Sequence, residues 1–317
     1  MKAAVRTKYG SPDVLNIMEV EKPTPNDNEV LIKVLATTVN RTDLGILLGE
    51  PLLLRVFYGL FNPKTPITGV DFAGQIESVG KTETTFKIGD RVWGFKRGTH
   101  AQYITIAEDK ALATIPDNIT YEQAAASAEG AHYAYNAVRK VKFKVGQKVL
   151  VNGATGAIGS ALVQLLKYFG ANITAVCDTK NIELVKGLGA DKIIDYTKED
   201  FTKDDEKYDF VFDAVGKSSF AKCKPLLQPG GVYTSADGIE NLFLALITAI
   251  TGDKKVKLWI PTDTKKSLLF IRDLLEKEKF KPVIDRKYPL EYIAEAYNYV
   301  ATGTKTGNVI ITFEDGV

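Results

Sequence analysis

The feature that most constrains the fold is a regular alternation of strand-like and helix-like segments in the second half of the chain. KVLVN (148–152) is typical of a buried strand, residues 160–170 of a helix, and ITAVC (173–177) of the next strand. The pattern continues with strand-like segments at 192–196, 208–215, 231–236 and 255–260. Because strands separated by helices pair in parallel, the alternation predicts a doubly wound parallel α/β sheet of about six strands.

A glycine-rich loop, VNGATGAIGS (151–160), connects the first of these strands to its helix. Gly156 and Gly159 match the last two glycines of the dinucleotide fingerprint G-x-G-x-x-G, whereas Ala154 occupies the first place. A residue without a side chain lets the backbone approach a pyrophosphate, and N–H groups at the helix N-terminus bind the anion. We therefore predict dinucleotide contacts from Gly153, Ala154, Thr155, Gly156, Ala157, Ile158 and Gly159. A glycine-rich turn without a ligand is the alternative.

The second strand of the pattern ends in AVCDTKN (175–181), where an acid, Asp178, stands two positions before a base, Lys180. Asp178 lies close to the spacing of about 20 residues after the glycine loop that is expected for a residue contacting the adenosine ribose. There an acid favours a free 2′-hydroxyl, as in NADH, and a base favours the 2′-phosphate of NADPH. When the strand is used for the alignment, the residue that usually contacts both ribose hydroxyls falls nearer Cys177 than Asp178. A cysteine cannot accept both hydroxyls.

Residues 1–120 have a different pattern, with short segments rich in β-branched residues between glycine and aspartate turns. These segments lie at 30–39, 73–80, 89–95 and 101–107, and their close spacing predicts a small barrel-like β domain. Thr120 and Gln123 form a capping-box pattern that opens an alanine-rich helix. After a helix predicted for 262–280, we expect a final strand-like segment, 307–313, to rejoin the first domain.

The charge balance argues against several classes of function. The chain carries 41 basic and 39 acidic side chains, so it lacks the basic field that binds nucleic acid or an anionic membrane. The longest apolar run, LFLALITAI (242–250), is far shorter than the roughly 20 residues of a membrane-spanning helix, and we expect a buried helix there. Two cysteines, Cys177 and Cys223, are too few for a disulfide framework. We therefore expect a cytoplasmic protein without nucleic-acid or membrane partners.

Several longer segments resemble one known family. GDRVWGF (89–95), AEDKALATIPDNITYEQAAA (107–126), VGQKVLVNGATGAIGSALVQLLKYFGA (145–171) and KTGNVIITF (305–313) are similar to the medium-chain dehydrogenase/reductase superfamily. The similarity is closest to its zinc-free branch of quinone oxidoreductase-like and enone reductase-like proteins. It implies a Rossmann domain inserted in a β-rich, partly barrel-like (GroES-like) catalytic domain, with limits at 1–120, 121–261 and 262–317. It also implies a homodimer and a cleft between the domains that holds the nicotinamide.

The resemblance also bears on zinc. Asn40 stands where the zinc-dependent branch has its first ligand, a cysteine, and Val70 stands where that branch has a histidine. A neutral amide and a valine are poor zinc ligands, and only Asp71 is left at the acidic place. We therefore predict no catalytic metal.

Further cofactor contacts are implied only by the resemblance. They fall at other strand ends and turns, on Tyr196, Asp213, Ala214, Val215, Gly216, Ser235, Ala236, Thr306, Gly307 and Asn308, and ordinary strand-end turns are the alternative. Tyr196 resembles a tyrosine that reaches the 2′-phosphate in relatives, and Lys180 is placed to give that phosphate a charge-assisted bond. With Asp178 turned away to pair with Lys180, we predict a preference for NADPH, with NADH possible.

Hydride transfer without a metal depends mainly on orientation, since the cofactor supplies the hydride and the protein positions it against an electron-poor acceptor. The oxyanion or enolate that forms needs a hydrogen-bond donor and then a proton. Asn40 is the candidate donor and a candidate cofactor contact, and together with Asp43 it resembles an N-x-x-D pattern of the zinc-free branch. The alternative is that both residues tie down a turn.

Tyr58 and His132 are further catalytic candidates. Tyr58 lies in an aromatic loop, FYGLFNPKTP (57–66), from which it can stack over a ligand or donate a proton. His132 follows AASAEGA (125–131) and titrates near neutrality if its surroundings leave it unperturbed. For both side chains a packing role is the alternative, and we expect His100 to be structural.

Together these observations predict a zinc-independent NAD(P)H-dependent oxidoreductase that transfers hydride to a quinone, an enone or another activated double bond of a small molecule. Two alternatives stay open. One is a zinc-independent alcohol or aldehyde dehydrogenase that works in the oxidative direction. The other is a cofactor-binding sensor or structural protein with little catalysis.

Overall fold

The computed structural model describes residues 1–52, 54–82, 85–235, 240–258 and 262–313. The chain divides into two units, the first formed by Met1–Glu129 with Thr264–Val317 and the second by Gly130–Asp263. The domain limits predicted from the sequence, after residues 120 and 261, fall near these divisions and stay predictions.

The strands and helices of the described residues are numbered along the chain. The strands are β1 (Lys2–Val5), β2 (Asn16–Glu19), β3 (Glu29–Val39), β4 (Asp71–Val79), β5 (Arg91–Phe95), β6 (Tyr103–Ala107), β7 (Leu112–Thr114), β8 (Lys148–Asn152), β9 (Asn172–Cys177), β10 (Lys192–Asp195), β11 (Tyr208–Asp213), β12 (Leu227–Ser235), β13 (Lys255–Val256), β14 (Ile284–Pro289) and β15 (Asn308–Thr312). The helices are α1 (Arg41–Leu48), α2 (Leu54–Tyr58), α3 (Tyr121–Ala126), α4 (Glu129–Val141), α5 (Ala157–Tyr168), α6 (Ile182–Gly187), α7 (Phe220–Cys223), α8 (Glu240–Ile250), α9 (Thr264–Glu276) and α10 (Ile293–Ala301).

The second unit contains a six-stranded sheet in the order β10-β9-β8-β11-β12-β13, and every pair in it is parallel. Its central strands β8 and β11 are almost wholly buried, as their apolar sequences require in a sheet covered on both faces. The order places the first strand, β8, in the middle, which is the arrangement of a dinucleotide-binding domain. The predicted doubly wound parallel sheet is therefore confirmed. Residues 259 and 260 of its predicted last strand lie outside the described residues.

The first unit is built on a seven-stranded sheet with the path β14-β15-β3-β4-β5-β7, in which β6 also pairs with β3. The last strand, β15, pairs antiparallel with β3 and joins Val309 to Val39. The chain end thus returns to the first unit, as expected. The long strand β3 has two partners along the same edge, since its first half pairs with β6 and its last residues pair with β15.

The predicted capping box is present at α3. The Thr120 hydroxyl accepts a hydrogen bond from the Gln123 backbone N–H at 3.2 Å, and the Gln123 side chain accepts one from Thr120 N–H at 2.9 Å. The helix ends at Ala126, earlier than an uninterrupted alanine-rich run suggests. Ser127 leaves the helical conformation, and its hydroxyl donates back to the Gln123 carbonyl oxygen. A second helix, α4, then begins at Glu129.

Helix α8 corrects one expectation. The sequence predicted a buried helix at 242–250, but this helix is attached through Asn241, Leu244 and Thr248 and leaves an apolar face exposed. The exposed side chains are Leu242, Phe243, Leu246, Ile247 and Ile250. The run is apolar on all sides of the helix, whereas the sheet beneath it covers one side only. Within the described residues, none of the helices is both long and apolar enough to cross a membrane.

Candidate functional site

The glycine loop of the second unit leaves β8 and enters α5. Gly153, not Ala154, makes the turn, since its φ is +79° and a Cβ there would lie 2.3 Å from Val215 Cγ1. Ala154 is buried, and its N–H donates to the Val176 carbonyl oxygen. The fingerprint departure at Ala154 therefore has a structural reason, because the glycine that the turn needs stands one residue earlier.

The other two glycines of the loop have different surroundings. A Cβ on Gly159 would lie 2.0 Å from the Gly153 carbonyl oxygen, so helix α5 packs against the loop at a distance that glycine alone permits. A Cβ on Gly156 would have no neighbour nearer than 3.9 Å, so open space lies beside this residue at the start of α5. The first N–H groups of the helix have no partner within it and carry a partial positive charge. This part of the loop suits the pyrophosphate of a dinucleotide.

Asp213, at the end of β11, shapes the next loop. Its buried carboxylate accepts hydrogen bonds from the N–H groups of Gly216 at 3.0 Å and Ser218 at 2.8 Å, and from Asn152 Nδ2 at 3.0 Å. The carboxylate is thus fully used within the protein. Asp213 therefore contributes by holding Ala214, Val215 and Gly216 in place, with Gly216 at a φ of +65°, and not by a side-chain contact to a ligand.

The sequence predicts contacts to the ribose or its phosphate from Asp178, Lys180 and Tyr196. We call these residues, together with their neighbour Asn181, the ribose segment. Asp178 Oδ1 accepts a hydrogen bond of 2.6 Å from Asn181 Nδ2, and its Oδ2 lies 3.7 Å from Lys180 Nζ. The Lys180 and Tyr196 side chains are 65% and 57% exposed, so both are accessible to an anionic group. The carboxylate is turned toward its neighbours, an arrangement that leaves the base and the phenol at the surface.

The side chain of Cys177 lies apart from the exposed groups of the ribose segment. Its side chain is 1% exposed, and burial raises the pKa of its thiol to about 11. At neutral pH it is a small apolar group inside the sheet, so the thiol offers nothing to a ribose. The cofactor contact at Cys177 stays a prediction, for which its backbone atoms are available.

A buried group of polar side chains lies where β3 and β4 end in the first unit. Antiparallel pairing joins Ala36 to Ala73 and so brings Thr38 opposite Asp71. The Asp71 carboxylate accepts from Thr38 N–H at 2.9 Å, from the Thr38 hydroxyl at 2.6 Å and from the Thr37 hydroxyl at 3.1 Å. Asn40 follows, and its Nδ2 donates to the Thr38 hydroxyl oxygen at 2.7 Å. We call Thr37, Thr38, Asn40, Asp43, Asp71 and Glu129 the Asp71 cluster.

Asn40 and Asp43 sit at the start of α1. Asp43 Oδ2 accepts from the Asn40 backbone N–H at 2.9 Å, which supports the turn as an Asx residue does. Asn40 and Asp43 have the arrangement of a capping box, in which the Asn40 side chain faces the Asp43 backbone N–H. Asn40 Oδ1 is buried and makes no close hydrogen bond. The arrangement supports the alternative that both residues tie down a turn.

The carboxyl groups of the cluster are hard to ionise. Burial raises the pKa of Asp71 to about 6 and that of Glu129 to about 7, and the negative charge of Asp71 adds to the effect on Glu129. The pKa of Asp43 is raised well above its usual value, mainly by burial and then by the charges of Glu129 and Asp71. Like charges in a low-dielectric interior disfavour one another, so Glu129 and Asp43 take up protons at a higher pH than Asp71 does.

A small cavity of about 20 Å³ adjoins the cluster, enough for one water molecule. Arg6, Asp43 and Tyr297 are among the residues that line it. Each has a buried side-chain atom without a hydrogen-bond partner, namely Arg6 Nε, Asp43 Oδ1 and Tyr297 Oη. At its outer side the Arg97 guanidinium stacks over the Tyr58 ring, 4.0 Å from the centroid. Sequence reasoning named Tyr58 and Asp43 but not Arg6 and Tyr297, which lie at opposite ends of the chain.

Both histidines are buried and neutral. His100 Nε2 donates to the Thr38 carbonyl oxygen at 2.9 Å, and its Nδ1 accepts from the Thr68 hydroxyl at 2.8 Å. His100 is thus structural, as expected, and supports Thr38. Asn136 Nδ2 donates to the His132 carbonyl oxygen at 2.9 Å. Burial lowers the pKa of His132 to about 4. The surroundings of His132 therefore do perturb its pKa, and its catalytic role stays a prediction.

The remaining candidates occupy turns. Ser235 is buried at the end of β12, and Ala236 lies outside the described residues. Gly307 has a φ of +72°, and Asn308 Nδ2 donates to the Val283 carbonyl oxygen at 3.0 Å. The Asn308 side chain thus fixes its own turn. Thr306 N–H donates to Asp285 in the same turn.

The residues at the positions where the zinc-dependent branch has its ligands do not suit a metal ion. Asn40 directs its amide nitrogen, a donor, toward Thr38, and Val70 offers no ligand atom. Across the described residues, the histidine, cysteine, aspartate and glutamate side chains form no group of three or more that suits a metal ion. The prediction of a zinc-free protein stays a prediction.

Comparison with known proteins identifies the family. An alcohol dehydrogenase GroES-like domain model matches residues 26–117, and a zinc-binding dehydrogenase model matches 188–311. A 2-methylene-furan-3-one reductase of Solanum lycopersicum is 34% identical over 98% of this chain and 79% of its own length. The chain belongs to the medium-chain dehydrogenase/reductase superfamily. The predicted resemblance is confirmed.

Other members of the superfamily point to the same branch. An NADPH-dependent alkenal/one oxidoreductase of Arabidopsis thaliana is 32% identical over 98% of this chain and 79% of its length, and a spinach quinone-oxidoreductase homolog is 30% identical over 95% of both chains. A solved quinone oxidoreductase from Coxiella burnetii superposes with a TM-score of 0.90 at 23% identity, covering 99% of each chain. That structure supports the fold: a Rossmann sheet with a GroES-like domain.

Proposed function

We propose that this chain is an NADPH-dependent reductase that transfers hydride to an activated carbon–carbon double bond or a quinone. The observation that carries the proposal is the glycine loop, which combines a tight turn at Gly153, close packing at Gly159 and open space at Gly156. A turn without a ligand has no need of all three. The named activities of the tomato, Arabidopsis and spinach relatives support the reaction class.

Each part of the chain then has a role. When bound, the nicotinamide cofactor supplies the hydride. The first N–H groups of α5 bind the pyrophosphate, while Lys180 and Tyr196 bind the 2′-phosphate. Asn40 is the proposed hydrogen-bond donor to the reduced acceptor and a proposed cofactor contact. Tyr58, half-buried beside Arg97, is the candidate that donates a proton from its hydroxyl to the reduced acceptor.

The acceptor assay distinguishes this reaction from its alternatives. NADPH consumption is measured with a quinone and with a simple enone, and NADP⁺ reduction is measured with primary and secondary alcohols. We expect turnover with the first two and none with the alcohols. Turnover with alcohols alone favours an alcohol dehydrogenase, and tight NADPH binding without turnover favours a sensor or structural protein.

We further propose a homodimer in the cytoplasm with a small-molecule acceptor as substrate. Some relatives are named as chloroplastic or mitochondrial proteins, so the compartment is tested by localising the tagged full-length protein. Light scattering coupled to size exclusion tests the dimer, since a dimer has twice the mass of the 34.8 kDa chain.

A further inference from the structure

Arg6 is a buried cation that lacks a counter-ion among the described residues. Its side chain is 3% exposed, and its Nη1 donates a hydrogen bond to the Ile46 carbonyl oxygen. Its Nε has no hydrogen-bond partner, and none of the described carboxylates forms an ion pair with it. The Tyr9 ring, whose centroid lies 5.1 Å from the guanidinium, stabilises a cation but does not neutralise it. Because an unpaired charge is costly to bury, the position of Arg6 calls for a negative partner.

The carboxyl group of Asp43 is a poor counter-ion for Arg6. Its Oδ2 accepts a hydrogen bond from the Asn40 backbone N–H at 2.9 Å. Burial and the negative charges of Glu129 and Asp71 raise its pKa well above the usual value. Arg6 lowers that pKa, but its effect is the weakest of those that act on this carboxyl. The two side chains therefore neutralise each other incompletely, and a protonated Asp43 is itself a hydrogen-bond donor.

The small cavity beside the Asp71 cluster is lined by a second arginine as well as by Arg6. Arg97 also has no carboxylate partner in the described ranges, and its guanidinium lies over the Tyr58 ring. The Tyr297 hydroxyl, which belongs to another lining residue, is buried without a close hydrogen bond and has Thr68 near it. Two permanent positive charges and several hydroxyl groups thus surround a space of about 20 Å³.

We propose that this cavity binds one small monovalent anion of the size of chloride, held by the guanidinium groups of Arg6 and Arg97 and by the Tyr297 hydroxyl. A halide is a single atom only slightly larger than a water molecule, whereas sulfate and phosphate are too large for the space. A water molecule can complete hydrogen bonds but cannot neutralise a buried charge, so the two arginines favour the anion. The site lies wholly within the first unit and does not depend on the proposed reaction.

An anion that binds only the folded chain stabilises it by mass action, because unfolding separates Arg6 from Arg97. The first test compares urea unfolding in sodium chloride and in sodium gluconate at equal ionic strength. Both salts screen exposed charges to the same extent, and gluconate is too large for the cavity. We expect the urea midpoint to rise with the logarithm of the chloride concentration and to rise less in gluconate. Equal midpoints in the two salts at every concentration would overturn the proposal.

Substitutions at the cavity separate a bound anion from a general effect of the salts. Arg97→Gln should weaken chloride binding by roughly tenfold or more, since a hydrogen bond to a charged group is lost, and Tyr297→Phe by roughly fivefold. Arg286→Gln is the matched control, because Arg286 lies over the Tyr299 ring at 3.6 Å and does not line the cavity. This control should keep the full difference between chloride and gluconate. An Arg97→Gln variant with the wild-type difference would contradict the site.

Crystals of the full chain soaked in sodium bromide test the site without any variant that has to fold. Bromide takes the place of chloride, and its anomalous scattering distinguishes it from water. We expect an anomalous peak in the cavity, in contact with the Arg6 and Arg97 guanidinium groups. Electron density for water there, with no anomalous signal, would show that the cavity holds a solvent molecule and would overturn the proposal.

Discussion

The Asp71 cluster of the first unit and the ribose segment of the second unit differ mainly in burial. Thr38 and Asp71 are fully buried, whereas Lys180 and Tyr196 are more than half exposed. In the cluster, Thr38 and Asp71 are joined by two hydrogen bonds in the protein interior, so the protein sets their geometry. In the ribose segment, charges are held loosely, by a 3.7 Å ion pair and a hydrogen bond to Asn181.

The difference in burial indicates which properties a mutation in each region should change. A buried network specifies one geometry, because every lost partner leaves another polar group unpaired in a low-dielectric medium. An exposed charge can be replaced cheaply, since water screens it and solvates what remains. We expect mutations in the buried regions to change stability and pH dependence, and mutations in the ribose segment to change the choice between cofactors.

The largest expected effect is on stability. Asp213→Ala removes the acceptor of three backbone N–H groups and of Asn152, and should lower the free energy of unfolding by about 3 kcal/mol or more. Asp178→Ala, the matched change in the ribose segment, should alter it by no more than about 0.5 kcal/mol. Urea denaturation of both variants measures the contrast, and equal losses would contradict the comparison.

The next effect is the pH dependence of stability. A carboxyl whose pKa is raised on folding contributes stability that is present below about pH 4 and is lost as the pH rises through its folded value. For Asp71, raised to about 6, the loss is about 3 kcal/mol. Asp71→Asn removes this titration, so its unfolding free energy should fall less than that of the wild type between pH 4 and 8.

Asp285 provides a control of opposite sign. The Thr306 N–H and the Tyr299 hydroxyl, which bond its carboxylate, lower its pKa despite some burial. Its contribution is therefore present above about pH 4 and is lost in acid. Asp285→Asn should reduce the loss of stability on acidification, and parallel pH curves for wild type, Asp71→Asn and Asp285→Asn would refute both assignments.

A smaller effect is expected on cofactor choice. Lys180→Ala should reduce kcat/KM for NADPH by roughly tenfold, the low end for a hydrogen bond to a charged group, because Lys180 is well exposed. The value for NADH should stay unchanged. Asp178→Ser should improve NADPH use, since it removes a negative charge near the phosphate. A wild type that strongly prefers NADH, or loses NADH use in Asp178→Ser, would show that the carboxylate contacts the ribose.

The smallest effect is expected from metal removal. Since Asn40 and Val70 replace zinc ligands, chelator treatment should leave turnover and stability unchanged. Elemental analysis of the purified protein should find no stoichiometric zinc. One zinc per chain would contradict the assignment of Asn40 to hydrogen bonding.

Local sequence patterns predicted the parts of the molecule that depend on local physics. The strand–helix alternation, the capping box at Thr120 and the returning strand at 307–313 follow from periodicity and side-chain chemistry. The exposed face of α8 did not, because hydrophobicity alone does not tell how many sides of a helix the fold covers. The glycine loop was placed correctly, yet the role of Gly153 needed its φ angle.

The Asp71 cluster was largely hidden for a different reason. Asp71 was noted in the sequence only as an acid left at a lost metal site. Its partners Thr37 and Thr38 come from the neighbouring strand, and Tyr297 comes from near the end of the chain. Such a network arises from sheet register and from long-range packing, and no spacing in the sequence encodes it.

The central claim is that this chain reduces an activated double bond by hydride transfer from NADPH. Enone reduction with NADPH deuterated at the transferable C4 position tests it most directly, with mass spectrometry and NMR of the product. We expect one deuterium per product, bound to the β-carbon, and a solvent proton on the α-carbon. Product without deuterium at that carbon, or no product from any enone or quinone while NADPH binds, would contradict the account.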